Sequence, residues 1–296
     1  MNLASRFLPL LLLCIALACS SSAQNTGLGR IDFPTSGPPQ AQTHFVRGML
    51  FLHSFEYDDA REEFRMAQKL APGFAMAYWG EAMTFNEPLW FFQDRDSAQA
   101  ALKRFAPTRA ERQAKTPTDR EKAYLQAVEV LFGEGEKEDR DFAYAEEMRN
   151  LHEKYPEDLD AASFYALALL GTCHRGRDFR VYMKAATVVE EVFLKNSEHP
   201  GALHYLIHSY DDPIHAPLGL RAARIYARVA PQAAHALHMP SHIFVAMGMW
   251  GEVVASNEDS WAASETRVKR KNLPPEDRGY HSLWWLQYGY LQQGRF

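Results

Sequence analysis

Apolar residues along most of the chain recur at helical rather than strand spacing. Alanine-rich stretches dominate, no segment alternates convincingly, and Asn-Gly or Asp-Gly hairpin signals are absent. One segment carries a stricter pattern. From Gly48, Phe51 follows after 3 residues, Ala60 after 12, Phe64 after 16, Ala67 after 19 and Pro72 after 24. This set predicts two helices folded back on each other. Gly48 and Ala60 are small where the helices cross, Phe51 and Phe64 fill the space beside the crossing, and Pro72 stops the second helix.

Further helices are predicted downstream. Ala75 to Phe85 is one, ended by Pro88 after Asn86-Glu87. Residues 88–118 read as an insertion with a short helix around Ser97 to Phe105, which folds over the face beside it. Thr118-Asp119-Arg120-Glu121 is a capping box that opens a new helix. Asp139 to Tyr155, Asp158 to Cys173, Arg180 to Lys195, Pro217 to Val229 and Tyr280 to Gln293 complete the series. Gly248-Met249-Trp250 repeats the turn at Phe55-Glu56-Tyr57.

The intervals from Gly48 to Pro72 match the tetratricopeptide repeat, with His44 where a tryptophan is usual. The strings Ala75-Met76-Ala77-Tyr78-Trp79-Gly80, His199-Pro200-Gly201-Ala202-Leu203-His204-Tyr205 and Leu237-His238-Met239-Pro240-Ser241-His242-Ile243-Phe244 resemble a group of exported bacterial tetratricopeptide-repeat proteins. The resemblance covers residues 42–296. It implies an all-α solenoid over 41–296 and a protein or peptide partner held in a concave groove, and it implies no agreed catalytic activity. Members of that group tend to continue past this C-terminus. Leu283, Trp284, Trp285 and Leu286 on the last helix read as buried residues without a second helix to cover them, so the expectation is a truncated product or an end completed by another chain.

The first residues read as an address. Met1 to Arg6 carries one positive charge, Phe7 to Ala18 is an apolar run of 12, and Ser20, Ser21, Ser22 and Ala23 follow. This is a signal peptide over 1–23, too short for a bilayer core that needs about 20 apolar residues. Ser21-Ser22-Ala23 suits ordinary cleavage. Leu17-Ala18-Cys19 resembles a bacterial lipobox, with Ala16 where Leu is usual, and would make Cys19 a lipid anchor and the one membrane contact. The expected location is the periplasm, the outer membrane or outside the cell. Residues 24–40, rich in Gly, Pro, Ser, Thr and Gln, read as a flexible linker.

Composition narrows the function. Of 296 residues 47% are hydrophobic, enough for a packed core. Lys plus Arg is 32 against 37 Asp plus Glu, a net charge of −5, so no basic excess invites nucleic acid. Three cysteines, two of them in the leader, exclude a disulfide scaffold and leave Cys173 alone.

Histidine is the sharp chemical feature. Twelve occur, and seven lie between residues 199 and 242: His199, His204, His208, His215, His235, His238 and His242. His204 with His208 and His238 with His242 have the i,i+4 spacing that puts two side chains on one helix face, although Pro240 interrupts the second pair. Thirty-four residues, one repeat length, separate His204 from His238 and His208 from His242. The pairs are therefore expected at equivalent positions on neighbouring helices lining the concave face. His174 lies 34 before His208 but falls about one turn out of phase.

Three readings of these histidines stand, in this order: packing inherited with the repeat, a metal or polar-ligand site, and acid–base catalysis. Neutral imidazole suits zinc, copper, nickel and iron. The candidate ligands are His204, His208, His238, His242 and His215, with Asp211 as a carboxylate. Neither pair has the Glu after its first His that a zinc protease uses, and no nucleophile elbow, P-loop or dinucleotide fingerprint occurs. The aromatic stretch from Tyr78 to Phe92 reads as core plus insertion. Glu134 to Asp141 reads as a solvated loop, and Arg267 to Lys271 as a helix end. The leading expectation is a non-enzymatic exported scaffold. The alternative is a metal-binding protein or metal-dependent enzyme centred on 199–242, and a truncated paralogue without independent function is third.

Overall fold

The computed structural model describes residues 27–296. The expected leader, with Cys14 and Cys19, lies outside them. The described chain is helical: α1 (Pro39–His53), α2 (Tyr57–Leu70), α3 (Ala75–Met83), α4 (Arg95–Phe105), α5 (Arg109–Lys115), α6 (Asp119–Leu131), α7 (Lys137–Lys154), α8 (Leu159–Gly171), α9 (Phe179–Lys195), α10 (Pro200–Tyr210), α11 (Ala216–Val229), α12 (Ala234–His238), α13 (Pro240–Ala246), α14 (Trp250–Lys271) and α15 (Tyr280–Gln292). A two-residue ribbon, β1 (Asn86–Glu87) with β2 (Phe92–Gln93), pairs antiparallel with Asn86 opposite Gln93. Most helices pack on the next in sequence, and α10 also touches α1, α8 and α13.

The first three helices explain their own sequence pattern. Phe64 on α2 is fully buried between Gly48 on α1 and Gly80 on α3. A Cβ built at Gly48 would lie 2.8 Å from the Phe64 ring, and one built at Gly80 would overlap the same ring. Two glycines thus let three helices close on one phenyl group. Ala60 and Ala67 are buried beside it.

The segment before α1 departs from expectation. From residue 27 it is no flexible linker: Leu28 and Phe33 are buried. The Phe33 ring packs on Phe45 at 5.2 Å and Tyr124 at 5.1 Å, under the Arg120 guanidinium. The backbone N–H of Arg30 donates to the Glu198 carbonyl at 2.9 Å. Two apolar anchors outweigh the turn-forming composition around them.

Residues 88–118 hold the tip of the ribbon, α4 and α5; α4 packs on α3 and α5 on α6. Thr118 caps α6 by accepting the Glu121 N–H, but the Glu121 carboxylate takes the Ser36 N–H at 2.7 Å instead of closing the box. The reciprocal box forms one helix earlier, between Thr108 and Glu111. At the far end α15 lies on α14, with Leu286 and Gly289 buried. Trp285 stacks on His242 at 4.4 Å, whereas Trp284 stays 66% exposed. Of the four side chains expected to lack cover, Leu286 is buried and Leu283 and Trp285 are half-buried within the chain. None of the described helices is long and apolar enough to cross a membrane.

Gly80→Ala is expected to destabilise the fold by about 1–3 kcal/mol through overpacking, and Phe64→Leu to recover part of that loss in the double variant. Urea unfolding of the four-member cycle checks this. Simple additivity would mean that α3 shifts to admit the methyl group.

Candidate metal centre

The site begins with helix geometry. His199 caps α10, its Nδ1 accepting the Ala202 N–H at 3.2 Å, and Pro200 fixes the first turn. Four residues along one face then bring the Nε2 atoms of His204 and His208 within 3.1 Å. In the next pair Pro240 divides α12 from α13, but Met239 keeps helical angles (φ −53°, ψ −37°), so the spacing survives. The Nε2 atoms of His238 and His242 also lie 3.1 Å apart.

The other ring nitrogens decide what those Nε2 atoms carry. The His204 Nδ1–H donates to the His53 carbonyl at 2.7 Å. The His242 Nδ1–H donates to the Asp211 carboxylate at 2.7 Å. The His238 Nδ1 faces the Asn257 Oδ1 at 2.6 Å, and Asn257 is fixed in that sense because its Nδ2 donates to the Val253 carbonyl at 2.7 Å. The oxygen can only accept, so the His238 Nδ1 carries the hydrogen. The Ser241 hydroxyl, at 3.4 Å from the same nitrogen, is a weaker neighbour. A neutral imidazole has one N–H. Three rings therefore present bare lone pairs at Nε2, and those of His238 and His242 point at each other. His208 has no such fixed tautomer, so its Nε2–H can donate to His204.

Two further rings complete the cluster. His235, on α12, joins His204 and His208 in one group, and His281, on α15, joins His238 and His242 in another. Within each group one ligand atom per residue lies within 4.8 Å of the others. The His235 Nε2 is buried without a hydrogen-bond partner. Of the expected ligands, His204, His208, His238 and His242 come together and Asp211 backs His242. His215 does not join them: its Nδ1 bonds Asp212 at 2.9 Å and its ring lies on Phe179. His174, expected out of phase, pairs with Asp141.

A third group, His53, Asp160 and His199, is fully buried at the junction of α1, α8 and α10. Its bonds assign it differently. The His53 Nε2–H donates to the Asp160 Oδ1 at 2.8 Å, and the Tyr205 hydroxyl donates to the His53 Nδ1 at 3.0 Å. His199 accepts at Nδ1, so its Nε2 carries a hydrogen and offers no lone pair. This is a buried carboxylate held by N–H donors. These bonds and two histidine partners keep the Asp160 carboxyl well below the usual carboxylate range, against the upward push of burial.

A cavity of about 280 Å³ opens beside the cluster. His208, His235, His242 and His281 line it from one side, with Trp90 and Phe91 from the ribbon tip. Trp90 meets His235 at 6.1 Å between ring centres, and His281 is exposed, so the cluster is reachable from solvent. No protein-family model matches the chain, and no curated protein matches it.

Burial lowers the basicity of these rings. It pushes His204 down to about 3, and holds His208, His235 and His238 well below 6.5, with the neighbouring rings adding to the effect. In the unfolded chain the same rings take protons below about pH 6.5. The unfolded state then binds more protons, so stability falls as pH drops from about 6.5 toward 3, at up to about 1.4 kcal/mol per pH unit for each ring. Chelator-treated protein should melt several degrees lower at pH 5 than at pH 7. A flat melting profile across that range would mean that the rings are already protonated or hydrated.

Proposed function

We propose that this chain is an exported metal-binding protein, a tetratricopeptide-like solenoid whose histidine pairs hold a transition-metal ion. One observation carries the reading: the facing Nε2 lone pairs of His238 and His242, 3.1 Å apart, with both Nδ1–H groups committed to Asn257 and Asp211. Two lone pairs at that distance repel unless a cation lies between them. The cation is a proton or a metal ion; a proton joins only two lone pairs, whereas a metal ion gathers three or four, and the His281 ring stands beside this pair. Two nitrogens on one tetrahedral zinc ion, with bonds of 2.0–2.1 Å, sit roughly 3.3 Å apart. The Asp211–His242 bond has the form of the carboxylate behind a ligating histidine that fixes its tautomer and raises its basicity. His204, bonded to the His53 carbonyl, is prepared in the same way.

The peptide-binding scaffold remains a second reading. Trp90 and Phe92, 49% and 58% exposed on the ribbon, favour it because they offer an apolar hold for a partner side chain.

Protein purified without a polyhistidine tag should carry at least one equivalent of transition metal by plasma mass spectrometry, and His238→Ala/His242→Ala should remove the equivalent held by that pair. Asp211→Ala should weaken zinc affinity about 10–100-fold while leaving the ligands in place. No bound metal and no uptake on titration would mean that a shared proton joins the pair, and would return the histidines to packing.

A further inference from the structure

We propose that the cluster holds two metal ions side by side, one on His204, His208 and His235 and one on His238, His242 and His281, with monovalent copper as the matching ion. The proposal rests on the metal reading of the His238–His242 pair and extends it to a second seat. Both seats are built alike. Each takes an i,i+4 pair from one helical run and a third ring from elsewhere: His235 enters from α12 and His281 from α15.

The second seat has its own observation. The His235 Nε2 is buried without any hydrogen-bond partner, and it belongs to the group whose other members are His204 and His208. The His204 Nε2 is bare because its Nδ1–H is committed to the His53 carbonyl. Three nitrogens around an ion with bonds near 2 Å sit roughly 3.5 Å apart. Each group, already within 4.8 Å, closes on an ion by ring movements on the order of an ångström. The seats adjoin each other. The rings of His208 and His242 are 5.7 Å apart, and those of His235 and His238 are 6.0 Å apart. Members of both line the same cavity, so one small ligand there would meet both ions.

The donor chemistry selects the ion. All six ligands are neutral imidazoles, and one carboxylate bonded to the cluster, Asp211, reaches it only through His242. Arg177 in the cavity wall is offset by Asp212 at 3.0 Å. Two divalent ions would bring four positive charges, more than the carboxylates of Asp211, on His242, and Glu56, on the His235 N–H, offset, and burying uncompensated charge is costly. Two monovalent ions halve that charge. Imidazole is a ligand that suits copper, and of the metals it suits copper has a monovalent state, which brings the least charge to a neutral donor set.

The test is an anaerobic titration of the full mature chain with Cu(I) against a chromogenic chelator. Two equivalents are expected in the wild type, and one each in His235→Gln and His281→Gln. A single equivalent in the wild type overturns the pair but leaves the metal reading standing. No uptake of Cu(I) or of zinc overturns both. Zinc held more tightly than Cu(I) overturns the choice of ion. If a variant fails to fold by circular dichroism, X-ray absorption of the wild type loaded anaerobically with two equivalents of Cu(I) decides. Nitrogen-ligated copper with a copper neighbour is expected, and copper without a copper neighbour at two equivalents overturns the proposal.

Discussion

One constraint governs the histidine cluster: a neutral imidazole has a single N–H. In His204, His238 and His242 that hydrogen is committed to the fold. His204 uses it to reach the α1 carbonyl of His53, His238 to reach Asn257 on α14, and His242 to reach Asp211 in the turn after α10. Each bond joins elements distant in sequence, and each turns the opposite nitrogen, with its lone pair, toward the other rings. Leaving a buried acceptor unmatched costs on the order of 1–3 kcal/mol. The same bonds that position the helices therefore leave the facing Nε2 atoms of His238 and His242 with no hydrogen between them.

The surrounding packing makes that geometry rigid. His53 sits where α1, α8 and α10 meet, and its ring is itself clamped between Asp160 and Tyr205. The carbonyl that fixes His204 thus belongs to a residue with no freedom to move. Farther out, Phe64 between Gly48 and Gly80 sets the spacing of α1, α2 and α3, and so places the end of α1. The ribbon after α3 carries Trp90 to the rim of the cluster. Gly80 thus bears on the position of the histidine cluster through Phe64 and α1, although no imidazole lies near its Cα.

Much of this was legible in the sequence. Helical periodicity located α7, α8, α9, α11 and α15 to within a residue or two at most of their ends. The i,i+4 spacing brings His204 to His208 and His238 to His242 because helix geometry is local. His235 was within reach of the same reasoning, since it precedes His238 by one turn. His281 was not, because nothing in its neighbourhood marks a ligand and its place depends on how α15 lies across α14. The His53–Asp160–His199 group was equally hidden, its members drawn from three helices. Composition misled before α1, where turn-forming residues outnumber the two apolar side chains, Leu28 and Phe33, that anchor the segment. His215 was misplaced for a local reason. Asp212, three residues away, captures it before it can face the cluster.

Inheritance of a repeat would account for two histidine pairs standing 34 residues apart, but not for their second neighbours. His204 is backed by a backbone carbonyl, His238 by an amide, and His242 by a carboxylate. Copying one unit would copy its partners as well as its rings. Here three different acceptors, from three unrelated elements, impose the same tautomer. Packing alone has no use for that agreement, because a buried imidazole is satisfied by either tautomer as long as one nitrogen donates and the other accepts. A metal ion does have a use for it. It requires the nitrogens that face it to be bare together, and that condition is met at His238 and His242.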